Sequence, residues 1–541
     1  MDTFLTEAID EVMPKLNRQI IDGIARRQMN RADDYLNDIW KGIAKEFPVG
    51  LEYEGFTQCL PREHYLEETK KKEWNLARHD MYVNKYHFSY QGRKLKDLYI
   101  ALPFITKRNT MYMGNARYYV APVLSDPIIS VTLNSIFVRL SKAKNMYYSE
   151  DYRMMVNGVQ DTCPVVWSKI HNGKSTQGRG AKSVKISSSI AHYLFGKFGV
   201  REAFQRYAKC LPVFGDDQTI TEAQYPPSEW VICESSGMPK SGRNRVVAEK
   251  TRIRIAVKRS EWSLDTQALC VGFYYVIDHF PDHQFSLDDL DNKDKWRVML
   301  GCIIWSGNEH HGRLLAQVDS HYQSLDNYMD SIGREKFRME GLAFEDYYDF
   351  LGWIVGHYKG WYMENESKIN SMYDKELSVV YYVLYKLTHK MFTMSFDLTK
   401  LANKELTDKK IEETMKAALP LRLLRSVAKD TYCFTAEQTS GDNPAFKLAT
   451  ILIPQDKAFR QDDRNKKRGG KKGKNADLNN PTKALHVSVA EVGGYLNLPK
   501  AEPSGRSRLN PFVQMDERFM VLRSEKFRTM LDRAQETIAQ T

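Results

Sequence analysis

Cysteine is scarce in this chain. There are 7 in 541 residues, at Cys59, Cys163, Cys210, Cys233, Cys270, Cys302 and Cys433. An odd number, widely scattered and without a Cys-x-x-Cys pair, argues against a disulfide framework and against a zinc ribbon or finger. Long apolar runs are missing too. The longest, Ala268 to Ile277 (ALCVGFYYVI), falls well short of the roughly 20 residues a membrane helix needs, so no membrane partner is expected. The opening MDTFLTEAIDEVMPK carries acids and no apolar h-region, so no secretion signal is expected and the reading is cytosolic. Neither a Gly-x-Ser-x-Gly elbow nor a Gly-x-Gly-x-x-Gly fingerprint occurs. Gly173-Lys174-Ser175 ends like a phosphate-binding P-loop, but Lys169 stands where the first glycine of that cradle must be. A P-loop NTPase is therefore rejected.

What the chain has is positive charge and aromatic rings. Lys and Arg number 79 against 68 Asp and Glu, a net charge of +11, and the pI is near 9.0. That balance points to an acidic partner, nucleic acid before an anionic membrane surface. The 30 Tyr, 24 Phe and 9 Trp support a large interior, and would also suit base stacking. A hydrophobic content of 42% with 27% charged residues is ordinary for a globular protein, and the length allows roughly two to four domains.

Three segments concentrate the positive charge. In Ser235 to Arg259 the residues alternate. Arg252, Arg254 and Lys258 fall on one side, and Ile253, Ile255 and Val257 on the other, as in a half-buried strand. With Lys240, Arg243, Arg245 and Lys250 upstream, its outer face is expected to meet phosphates. The competing reading is a charged strand that merely resists edge pairing. Lys169 to Lys185, carrying Lys174, Arg179 and Lys182, is rich in Gly and Ser and is expected to be a mobile loop. Arg460 to Lys474 holds Arg460, Arg464, Lys466, Lys467, Arg468, Lys471, Lys472 and Lys474 against Asp462 and Asp463, so 8 − 2 = +6. A flexible polycation gains from counterion release without a fold; a solvated hairpin loop or a nuclear localisation signal are the alternatives.

The predicted organisation is α+β. A helical N-terminal segment covers 1–80, with Leu5, Ile9, Met13 and Leu16 at helical spacing. A β-rich region over 81–262 starts with a hairpin, YVNKYHFSY–QGRK–DLYIALPFI. A helix is expected around Ser188 to Cys210, and a helical domain or insertion over 263–430. In 431–541 strands return at Thr431 to Pro454 and His486 to Val492, before the last amphipathic helix, Phe519 to Ile538.

Two groups could carry chemistry. Gly215-Asp216-Asp217 resembles the hairpin on which RNA-dependent polymerases hold a catalytic metal, since adjacent carboxylates on a tight turn can bind Mg²⁺. The nucleotide-selecting loop should precede that turn, whereas Ser236-Gly237 with Ser241 and Asn244 follows it; Gly-Asp-Asp is also an ordinary turn. Histidines cluster with acids at Asp278, His279, Asp282 and His283, and at Glu309, His310, His311, Asp319 and His321. A metal nuclease would use such groups, but Pro281 interrupts the first, and His321 shares a helical stripe with Leu314, Val318 and Leu325, as a core residue would.

The stretches Leu98 to Asp126 and Ile136 to Tyr148 resemble proteins of large tailed bacteriophages and the β-type lobe of multi-subunit RNA polymerases. The Asp-Phe-Asp-Gly-Asp metal signature of the polymerase β′ subunit is absent, and no functional residue is carried over. The expectation is an intracellular nucleic-acid-binding protein of phage type, in the host cytoplasm or virion, serving replication, transcription or DNA packaging. The type of nucleic acid is undetermined, and the helical domain could hold protein partners. A divergent polymerase-like or nuclease enzyme and a structural assembly protein are the rivals. No cofactor is indicated, and Mg²⁺ would matter only for an enzyme.

Overall fold

In the computed structural model, the described residues are 17–59, 81–106, 109–113, 116–132, 134–174, 183–237, 251–279, 285–305, 310–369, 371–402, 406–421, 423–424, 433–435, 450–452, 488–492, 506–510 and 512–523, with residues 525, 529 and 536. The helices in chain order are α1 Arg18–Asp22, α2 Ile24–Met29, α3 Ala32–Ala44, α4 Ile190–Phe198, α5 Val200–Ala203, α6 Leu264–His279, α7 Lys293–Trp305, α8 His311–Asp326, α9 Ser331–Met339, α10 Tyr347–Asn365, α11 Val380–Ala402, α12 Asp408–Ala418 and α13 Ser488–Val492. With the antiparallel sheets below, the fold is α+β, as predicted. Among the described residues, no helix is long and apolar enough to cross a membrane.

The chain divides into two compact units, residues 1–127 with 367–541, and residues 128–366. In the first, β1 Leu51–Cys59, β2 Met81–Tyr90, β3 Arg93–Lys94 and β4 Leu98–Pro103 form an antiparallel sheet in which β2 pairs with all the others. Gln91 and Gly92 turn the chain with φ of 50° and 75°. Two successive left-handed residues match the twist of the strands they join. Helix α3 packs on this sheet because Tyr35, Leu36, Ile39, Trp40 and Ile43 recur at helical spacing and are buried. The Trp40 ring lies 5.2 Å from Phe88, 5.5 Å from Tyr86 and 5.7 Å from Tyr53. Strand β1 lies where the sequence predicts only a helical N-terminal segment. Its LEYE alternation is broken at Gly55, where the register shifts and φ is 120°.

Also in this unit, β5 Thr110–Met113 and β6 Ala116–Val120 form a hairpin that β17 Cys433–Thr435 extends. β7 Val123–Ser125 pairs with β16 Glu376–Ser378 and β18 Thr450–Leu452, and β18 with β19 Arg506–Arg508. Two expectations change. Within the strand expected at His486 to Val492, the described residues Ser488–Val492 are helical, and the Ser488 hydroxyl accepts the Met372 amide at 2.8 Å. The last helix does not begin at Phe519. Asp516 takes the Arg518 and Met520 amides, Phe519 turns left-handed with φ 65°, and β20 Gln514–Met515 pairs with β21 Val521–Leu522. Glu525, Thr529 and Glu536 are helical.

The second unit is a sheet with helices packed on it. The strand order is β12-β11-β10-β14-β15-β13, for β10 Lys144–Val156, β11 Val159–Lys174, β12 Ser183–Ser189, β13 Val213–Gly215, β14 Trp230–Ser235 and β15 Arg254–Lys258. In addition, β9 Ser135–Arg139 joins β10, and β8 Ile129–Thr132 joins β9. One core contains the inward residues of these strands and Phe195, Phe273, Trp296, Tyr322 and Phe350 from α4, α6, α7, α8 and α10. Asn157 and Gly158, with φ of 46° and 75°, make the same left-handed turn between β10 and β11 that Gln91-Gly92 makes in the other unit.

Candidate nucleic-acid interface

Two of the three basic segments are connections within the sheet of residues 128–366. Lys169 to Lys185 is a hairpin rather than a loop along most of its length. β11 and β12 pair from Trp167↔Ser189 outward to Lys174↔Ser183, with an irregularity between Ser168 and His171. The alternation in Ser183-Val-Lys-Ile-Ser suits a strand, and each paired residue satisfies backbone groups that a loop would leave to water. Lys174 is the last paired residue of β11; Arg179 and Lys182 lie outside the described residues.

The second connection joins β14 to β15 and is anchored from below by α6. The Tyr274 hydroxyl lies 2.7 Å from the Cys233 carbonyl on β14 and 3.2 Å from that of Ile253, the residue before β15. At the last turn of α6, the buried Asp278 carboxylate accepts hydrogen bonds from Tyr152 on β10 and from Ser235 at the end of β14. Ser235 Oγ in turn accepts the Gly237 amide at 2.9 Å. Burial, and then the charge of Asp278, push the Tyr152 hydroxyl far above its ordinary pKa, so it stays a donor. Neither Tyr152 nor Ser235 stands out in the sequence. The signal was Asp278 itself, a carboxylate ending the run ALCVGFYYVI, which must find donors if it is buried.

Of the strand predicted at Arg252 to Lys258, Arg254–Lys258 forms; Ile253, Ile255 and Val257 lie in the core. Its other face is not an open row of cations. Ala256 is buried beside Ile220 and Ile232, and Arg254 is engaged. The Arg254 guanidinium meets Glu234 at 3.0 Å and donates to the Ile220 carbonyl at 2.7 Å. Arg252 and Lys258 are exposed. Lys240, Arg243 and Arg245 lie outside the described residues, as does all of 460–474 with Arg464, Lys466, Lys467, Arg468, Lys471 and Lys472.

Both β11 and β14 run antiparallel to β10, so they run parallel to each other. The chain therefore leaves Lys174 and Ser235 in the same direction. The levels differ: Met154 of β10 faces Asp161 of β11 on one side and Ser235 on the other. The hairpin continues from there to Lys174, roughly 40 Å at the rise of a strand.

Gly215-Asp216-Asp217 proves to be a turn. The Asp216 carboxylate accepts the Gln218 and Thr219 amides at 3.1 and 2.8 Å and the Thr219 hydroxyl at 2.8 Å. The Thr219 bonds hold its pKa below the ordinary carboxylate value. Asp217 points to solvent. Asp216 thus performs the local bonding that makes Asp a turn residue. The histidines are equally occupied. His279 bonds the Tyr275 carbonyl at 2.6 Å, and His310 caps α8 through the Gly312 amide. Asp319 pairs with Arg297 at 2.9 Å, and His321 is buried against the Tyr193 hydroxyl at 3.4 Å, the core role predicted for it. Asp282, His283 and Glu309 lie outside the described residues. Among the described residues, no group of three or more His, Cys, Asp or Glu side chains could hold a metal ion.

The class that the fold defines is an α+β protein of two compact units, each built of helices and sheets. The comparison with protein families is specific: residues 5–526 match the non-virion RNA polymerase subunit family, and the chain belongs to that family. The resemblance to viral polymerase proteins therefore holds along nearly the whole chain. No curated protein matches it.

Proposed function

We propose that this subunit holds nucleic acid within a viral RNA polymerase, in the host cytoplasm, by gripping the phosphate backbone rather than by reading bases. The observation that supports this is the common direction of the two basic connections, at Lys174 to Ser183 and Ser235 to Arg254. In sequence, Lys174, Arg179 and Lys182 belong to the first connection and Lys240, Arg243 and Arg245 to the second. A connection of 18 residues, 236–253, can reach about 30 Å out and back, toward the level of the longer hairpin. Arg252 and Lys258 flank its base, and Arg464 to Lys472 adds a polycation elsewhere in the chain. Arg254 serves the fold through Glu234 and contributes little directly. Backbone contacts of this kind position without specifying and weaken steeply with salt.

The test is binding to single- and double-stranded DNA and RNA across a salt series. Wild type is compared with a variant carrying Ala at Lys174, Arg179 and Lys182, and with one lacking 460–474. Log affinity should fall linearly with log salt, and each lost phosphate contact should flatten the slope by about 0.9 on duplex DNA. Binding absent at low salt, or slopes unchanged in both variants, overturns the reading.

A further inference from the structure

Helix α11, Val380–Ala402, shows a second kind of surface. Its inner face buries Val383, Leu384, Leu387, Met391, Met394 and Leu398. Its outer face should be charged or small. Instead Tyr381, Tyr385, His389, Phe392 and Phe396 fall in one stripe about 80° wide at 100° per residue. Tyr385 is 43% and Phe396 62% exposed, His389 is exposed, and Tyr381 and Phe392 are half-buried. The Tyr381 and Tyr385 rings stand 5.8 Å apart, and Tyr385 and His389 lie 5.9 Å apart, within 14° of parallel. From Tyr381 to Phe396 the stripe runs about 22 Å. Lys386, Lys390 and Lys400 are exposed along one flank, and the Lys400 ammonium sits 4.1 Å from the centre of the Phe396 ring.

We infer that this face of α11 is a stacking surface for a single-stranded nucleic acid, with bases on the ring stripe and phosphates along the lysine flank. Single exposed apolar residues need no explanation. A ladder of rings over four turns, lined on one side by cations, matches what unpaired bases with an anionic backbone require. Asp397 is the one carboxylate on the helix between the first ring and the last lysine. An acidic protein segment is the competing occupant. It would use the apolar area of the rings, whereas bases need their π faces.

The inference rests on the chain being a nucleic-acid-contacting subunit, but not on the hairpins of the other unit. Binding of labelled oligothymidylate and oligouridylate is measured with the full chain in three variants: Tyr385→Ala with Phe396→Ala, Tyr385→Leu with Phe396→Leu, and Tyr385→Phe. Both sites are exposed, and thermal melting checks that the fold is kept. The Ala and Leu pairs should each weaken single-strand binding roughly tenfold or more, Tyr385→Phe should bind like wild type, and duplex binding with its salt slope should be unchanged. Full affinity in the Leu pair overturns stacking. An unchanged Ala pair, or a wild type that binds duplex alone, also overturns it and leaves the hairpin reading standing. No binding of either nucleic acid overturns both.

Discussion

The two basic connections of the 128–366 sheet are built alike in charge and differently in support. The β11–β12 hairpin carries its own backbone ladder as far as Lys174↔Ser183, and its inner end runs into α4. Among the described residues, the β14–β15 ladder ends at Glu234↔Arg254, and the base of that connection is held by three side chains from below, Tyr274, Asp278 and Tyr152. Support by backbone pairing is spread over many weak bonds. Support by a buried carboxylate is concentrated in one group, and removing that group strands its donors. The second connection should therefore be the more fragile of the two.

The largest effect is expected at that point. Asp278→Ala leaves the Tyr152 and Ser235 hydroxyls buried without their acceptor and should cost about 3 kcal/mol in urea unfolding. Hydrogen exchange should rise at Cys233 to Ser235 and not along β12. Equal loosening of both connections would remove the distinction drawn between them.

Acid should attack the other support. His192 of α4, three residues past the end of β12, is buried and bonds the Trp296 carbonyl at 2.9 Å. Burial lowers its pKa to about 4. The unfolded chain, with an ordinary histidine value near 6.5, then binds more protons than the folded one between about pH 4 and 6.5. This contribution is at its full value above pH 6.5, and stability is lost as the pH falls through that window, by about 2 kcal/mol at pH 5. His192→Gln should flatten that dependence. A stability curve with the same acid limb in the variant would show that His192 does not titrate there.

How far the sequence foretold these supports depends on whether a feature is local. The turn at Gln91-Gly92, the strand through Ile255 and Val257, and the core place of His321 follow from neighbours within a few residues, and each is found as predicted. Strand β1 was missed because the bulge at Gly55 breaks its alternation. The Phe519 hairpin was missed because its apolar residues also fit a helix, and Asp516 decides between the two by taking two amides. The site is less legible still. Arg254 reads as an outward cation until Glu234 is placed beside it, and Asp216 reads equally as a metal-ligand candidate or a turn residue until its bonds to Thr219 are seen. Asp278 meets Tyr152 across 126 residues, a distance no local pattern spans.

The smallest change gives the finest test of the comparison. Tyr274→Phe removes one hydroxyl hydrogen shared between the Cys233 and Ile253 carbonyls and keeps the ring in the core. One carbonyl lies on β14 and the other just before β15, so the lost bond should loosen the base of the connection without disturbing the helices. A neutral bond of this kind is worth about 1 kcal/mol, a third of the Asp278 effect. The two substitutions share one support, so the double variant should be less unstable than the sum of the two single ones. Strict additivity would mean that Tyr274 and Asp278 hold the two strands independently, and that the connection has two separate anchors rather than one.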